Sequence, residues 1–68
     1  MIVSLNGRRA ELPDGASVAD AVEAAGVGDA TRGVAVAVDG EVVRRIEWKA
    51  RKLERNQVVE VLHAVQGG

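Results

Sequence analysis

Val34-Ala35-Val36-Ala37-Val38-Asp39-Gly40-Glu41-Val42-Val43 is the stretch on which the fold turns. Its first five residues carry no polar side chain, and β-branched Val at every second position suits a pleated strand. The run reads as the best core strand of the chain, near the middle of a sheet and covered on at least part of both faces. Asp39-Gly40 is a hairpin signal, so Glu41 to Arg45 reads as the return strand.

Working outward toward the N-terminus, Met1 to Leu5 alternates, with Met1, Val3 and Leu5 on one side and Ile2 and Ser4 on the other. Asn6-Gly7 tolerates the two positive φ angles of a type I′ turn and predicts a hairpin returning through Arg8 to Leu12. Pro13-Asp14-Gly15 stops that strand. Ser17 is placed to cap a helix, with Asp20 as its capping-box partner, and Val18, Ala21, Val22 and Ala25 fall on one face. Gly26 supplies a left-handed stop, and Val27 to Gly33 has the composition of a surface loop.

Toward the C-terminus, Ile46 to Arg55 mixes Trp48, Leu53 and charged residues without clean periodicity and reads as a connection holding one short helical turn. Asn56 accepts left-handed geometry and precedes a last strand from Val58 to about Leu62. The order is hairpin, helix, hairpin, loop, final strand. It predicts an α+β domain, a mixed four- to five-stranded sheet packed on one helix, with the first and last strands parallel neighbours. Residues 1–64 form that domain, and 65–68 are expected to be a flexible tail.

Composition narrows function. Sixty-eight residues make one domain that buries only about 60% of its unfolded surface, too little for a deep catalytic pocket. No cysteine and a single histidine argue against thiolate metal sites, zinc sites and a Ser-His-Asp arrangement, so neither a catalytic residue nor a metal site is expected. A net charge of -1 argues against a nucleic-acid partner. No apolar run approaches the ~20 residues that cross a bilayer. With no secretion signal in Met1-Ile2-Val3-Ser4, the chain is expected to be soluble and cytoplasmic.

Gly67-Gly68 is the feature that packing explains least, because two terminal glycines raise chain entropy and bury nothing. Without Cβ atoms such a tail threads a narrow channel in a partner and presents the Gly68 carboxylate for attack on an ATP α-phosphate. The plain alternative is a frayed end.

The segments Ile2-Val3-Ser4-Leu5-Asn6-Gly7 and Leu12-Pro13-Asp14-Gly15-Ala16-Ser17-Val18 are followed by Val34 to Val43, Arg45, Trp48 and Val59-Glu60-Val61, and the chain ends at Ala64-Val65-Gln66-Gly67-Gly68. Through these pieces, in this order and over essentially its whole length, the sequence resembles the thiamine-pathway sulfur carriers, the ThiS family, whose fold is the ubiquitin-like β-grasp. The resemblance implies a carrier and not an enzyme. A ThiF-type adenylyltransferase, using ATP and magnesium, activates Gly68 as an acyl-adenylate, and a sulfur donor enzyme converts it to a thiocarboxylate. A ThiG-type thiazole synthase then takes the sulfur. Gln66 and Gly67 would thread the partner site, and no cofactor would be bound by the carrier itself, which is expected to be a monomer alone. Asn56-Gln57 stand where Gly-Asp is usual, Arg44 where Pro is frequent, and Ile46 where a small polar residue is common, so the contacts of those loops are not carried over.

Other residues have plainer readings. Arg44 to Arg55 holds six basic and two acidic residues, a surplus that solvates a loop or steers an acidic partner. Trp48, the lone aromatic, reads as a lid on a small Val/Ala core, with a partner hot spot as the alternative. With Val59 and Val61 inward, Leu62 must face out, and Leu62, His63 and Val65 are the candidate partner-interface residues. Carriers for molybdopterin or cysteine synthesis share the fold and the Gly-Gly end, with chains that are typically longer. A ubiquitin-like protein modifier and an inert-tailed binding module are the other classes.

Overall fold

In the computed structural model, residues 1–27 and 33–63 are described. Five strands and one helix follow each other as β1 (Ile2–Leu5), β2 (Arg8–Glu11), α1 (Val18–Ala24), β3 (Val34–Val38), β4 (Glu41–Val43) and β5 (Val58–His63). A short 3-10 helix, Arg45–Glu47, lies between β4 and β5. The strands form one mixed sheet in the order β2-β1-β5-β3-β4.

Both hairpins turn on residues that tolerate left-handed backbone. Asn6 and Gly7 have φ of 53° and 79°, and Asp39 and Gly40 have 50° and 83°, the paired positive angles that a type I′ turn requires. Strand β1 is antiparallel to β2 and parallel to β5, with Ser4 opposite Val58 and Leu5 opposite Val59. The expected parallel pairing of first and last strands is thus present.

Helix α1 starts as its sequence predicts. The Ser17 side chain accepts from the Asp20 N–H while the Asp20 carboxylate accepts from the Ser17 N–H, a complete capping box. The two preceding orphan donors are met from the connection before β5: Val18 N–H donates to the Arg51 carbonyl at 2.9 Å and Ala19 N–H to the Trp48 carbonyl at 3.1 Å. Val18, Ala21 and Val22 are buried against the sheet, and Gly26, at φ 81°, follows the end of the helix.

The core is built from these inward faces: Val3 and Leu5, Val36 and Val38, Val43, Val59 and Val61, closed by α1, Leu12, Trp48 and Leu53. Trp48 is buried, and its indole Nε1–H donates to the Val43 carbonyl at 3.0 Å, so the residue acts as the lid expected of it.

Strand β3 is an interior strand next to the central β5, with Val36 and Val38 buried on one face and, on the other, Ala37 half-buried and Ala35 exposed, while two strand ends differ from expectation. An unbroken apolar run fits this placement because Ala, unlike Val, adds little apolar area to an outward face. The return strand ends at Val43, two residues before Arg45, because the chain turns into the 3-10 helix that brings Trp48 beneath the sheet. Finally, β5 extends one residue further than expected, through His63 opposite Val34.

Candidate functional site

The candidate site is the C-terminal end of β5. This strand lies between β1 and β3, so the last described residue, His63, is delivered from the middle of the sheet and not from an edge. Val59 and Val61 point into the core, and Glu60, Leu62 and His63 are exposed. Leu62 is 65% exposed, as its position in the alternation requires.

Leu62 does not stand alone. Opposite it on β3 is Ala35, and the next outward pair along β3 and β4 is Ala37 with Val42, which is 73% exposed. Val58, 47% exposed, lies further back on the same face of β5. The outward face of the β5, β3 and β4 half of the sheet is therefore an apolar surface interrupted by Glu60. The β2 and β1 half carries Arg9 opposite Ser4. Apolar surface of this kind bordered by charge is the composition of a protein-docking face.

The strand is held in place by side chains from two hairpin turns. The Asn6 Oδ1 accepts the Val61 N–H at 2.7 Å, a contact spanning 55 positions of the chain. The Asp39 carboxylate accepts the Val58 N–H at 2.8 Å and the Gln57 Nε2–H at 3.2 Å. Gln57 in turn accepts the Glu54 N–H through its Oε1 at 2.8 Å. Both turn residues were legible as turn formers. Their second role, clamping the last strand, was missed, because nothing in a local Asn-Gly or Asp-Gly signal says which distant N–H the side chain will meet.

Asn56 takes its left-handed angle, φ 70°, and donates its N–H to the Ile2 carbonyl at 2.8 Å. The usual Gly is not needed there, since Asn tolerates the same region. Of the basic surplus in Arg44 to Arg55, Arg51 pairs with Glu41 at 3.3 Å on the surface, where such a pair contributes little.

Among the described residues no group of three or more His, Cys, Asp or Glu side chains is arranged to hold a metal ion. Ser17, the single buried polar residue among them, is consumed by the helix cap. No helix among them is long and apolar enough to cross a membrane. Val65, Gln66, Gly67 and Gly68, named from the sequence as the tail, lie outside the described residues.

No curated protein sequence matches the chain. Two solved structures superpose on it. The crystal structure of a thiamine biosynthesis protein (ThiS) from Geobacter metallireducens has a TM-score of 0.79 at 27% identity, with 100% of each chain covered. A solution NMR structure of a thiamine biosynthesis protein from the same organism has a TM-score of 0.78 at 27% identity, covering 100% of this chain and 88% of that one. Their likeness extends to the mixed five-stranded sheet and single helix of the ubiquitin-like β-grasp. The ThiS family model matches residues 3–68, from the first strand to the final glycine, and this chain is accordingly a member of the ThiS family.

Proposed function

We propose that this protein is a sulfur carrier of thiamine biosynthesis, a substrate of its partner enzymes and not a catalyst, and that its working group is the Gly68 carboxylate. The observation that carries the reading is the family match running through Gly67 and Gly68 on a domain whose central strand ends beside an exposed apolar face. Residues 1–64 are the folded carrier and 65–68 the tail. From His63 the remaining five residues can reach at most about 17 Å, enough to enter a partner's active site while the domain stays outside.

In the proposed cycle an oxygen of the Gly68 carboxylate attacks the α-phosphorus of ATP, and pyrophosphate leaves. The ATP and its magnesium belong to a ThiF-type adenylyltransferase. The mixed anhydride makes the carbonyl carbon electrophilic. A sulfur nucleophile at the oxidation level of hydrosulfide, supplied through a sulfur donor enzyme, attacks that carbon. AMP departs with the bridging oxygen, and one C–O bond has become a C–S bond. The thiocarboxylate then gives its sulfur to a ThiG-type thiazole synthase. Absence of a side chain at residues 67 and 68 serves this handover, since no Cβ obstructs either enzyme's channel. Leu62, with Val65 and His63 beside it, is the proposed contact on the carrier's side. The proposed setting is the cytoplasm, where the unpartnered carrier is a monomer.

The test is the intact mass of the purified protein after incubation with a ThiF-type enzyme, ATP, magnesium and a sulfur source. Exchange of OH for SH adds ~16 Da, expected on the full chain and absent after deletion of Gly67-Gly68. No such species with enzymes that load another ThiS protein would overturn the proposal. Adducts joined through Gly68 to lysines of other proteins would assign the chain to protein modification instead.

A further inference from the structure

Strand β5 outruns its parallel neighbour. In an extended strand the N–H and C=O of one residue point to the same side, and successive residues alternate. On β5 the Gln57 and Val59 carbonyls accept from the Ser4 and Asn6 N–H groups of the β1 side, each at 2.9 Å. Val58 faces β3, where its carbonyl accepts the Asp39 N–H at 2.7 Å. By that alternation Val61 and His63 also turn their main-chain groups toward the β1 side. But β1 ends at Leu5, and the chain turns back at Asn6-Gly7.

One of those groups, the Val61 N–H, is met by the Asn6 side chain standing in for the next strand residue. Beyond it the Val61 C=O and the His63 N–H face a side from which β1 has departed, and among the described residues neither has a partner there. At the turn where β1 ends, a concavity is lined by Leu5, Asn6, Arg8, Arg9 and Ala10, with Ala24 of α1 and Ala25 at the helix C-cap. The gap is thus a stretch of unfilled strand edge leading directly into the C-terminal residues, with one flank basic.

We propose that the β1-side edge of β5 at Val61–His63 is a strand-addition site for an extended segment of the adenylating enzyme, one that carries carboxylates toward Arg8 and Arg9. The inference rests on the sulfur-carrier reading. Main-chain pairing there supplies what a side-chain patch alone lacks: it fixes the direction in which the chain leaves the domain, so Gly68 arrives in register at the ATP. A second copy of this chain is a poorer occupant. Two such edges set side by side would bring Arg8 and Arg9 of one copy near those of the other, whereas an acidic segment satisfies both the edge and the charge.

The experiment compares His63→Pro with His63→Ala in ATP–pyrophosphate exchange catalysed by a purified ThiF-type adenylyltransferase. Proline removes the N–H that faces the open side and no bond that the fold makes, a placement that edge positions tolerate. Alanine removes the imidazole and keeps the N–H. His63→Ala measures whatever the imidazole contributes to the contact, and His63→Pro should show a KM about tenfold above that of His63→Ala, the usual consequence of one buried main-chain bond left unmade. Equal KM for the two variants would overturn the inference while leaving the carrier function standing. No exchange with the wild-type chain would instead remove the carrier function, and this inference with it. Should His63→Pro fail to fold, hydrogen exchange of the His63 amide in the wild-type chain decides: slowed exchange when the enzyme is added supports the site, and unchanged exchange overturns it. Self-association that vanishes in His63→Pro would give the edge to a second copy and overturn it equally.

Discussion

Trp48→Ala tests how much of this domain depends on one residue. Trp48 is 6% exposed, supplies the largest side chain in a core otherwise built of Val, Leu and Ala, and holds the Val43 carbonyl through its indole N–H. Truncating a buried Trp to Ala costs about 3–5 kcal/mol. A 68-residue domain has in total only about 3–10 kcal/mol. The variant should therefore retain little or no cooperative stability, followed by urea unfolding with far-UV circular dichroism. Trp48→Phe restores most of the apolar area but not the donor, and leaving the Val43 carbonyl unmet should cost about 1–3 kcal/mol. A loss under about 1 kcal/mol for Trp48→Ala, with unfolding still cooperative, would refute the assignment of Trp48 as the lid of the core. Such a result combined with lost partner binding would recast it as an interface residue.

Two further outcomes follow from the clamp and the exposed face. Asn6→Gly keeps the positive φ of the turn but removes the acceptor of the Val61 N–H, so stability should fall by about 0.5–1.5 kcal/mol in urea unfolding. Hydrogen exchange should quicken at Val61 before the rest of β5, and an unchanged rate there would contradict the clamp. Leu62→Glu, on an outward position, should change stability by no more than about 0.5 kcal/mol. Its activation by a ThiF-type enzyme should drop at least about tenfold if the enzyme covers that leucine, since a desolvated charge at an interface is costly. Normal activation would exclude Leu62 from the interface.

Local patterns carried most of the architecture. Alternation in Met1 to Leu5 and Val58 to Leu62, the turn dipeptides Asn6-Gly7 and Asp39-Gly40, and the cap pair Ser17 and Asp20 each speak through neighbours a few residues apart. That is the range over which backbone angles and capping bonds are decided. The segment from Ile46 to Arg55 gave no period because its order comes from elsewhere: its carbonyls serve the first turn of α1, and its Trp48 and Leu53 fill the core from one side.

By itself, then, the order of residues determined the kind and order of the elements, the inward and outward faces of the strands, and the Gly-Gly ending. Tertiary structure alone decided that β5 is the central strand with β3 beside it, that the outer face of β3 is covered only in part, and that Asn6 and Asp39 hold a strand more than 18 positions away. Periodicity reports which face of a strand is buried, but which strands become neighbours depends on how helix, sheet and Trp48 share one small core. That competition is settled in three dimensions, among residues the chain keeps far apart.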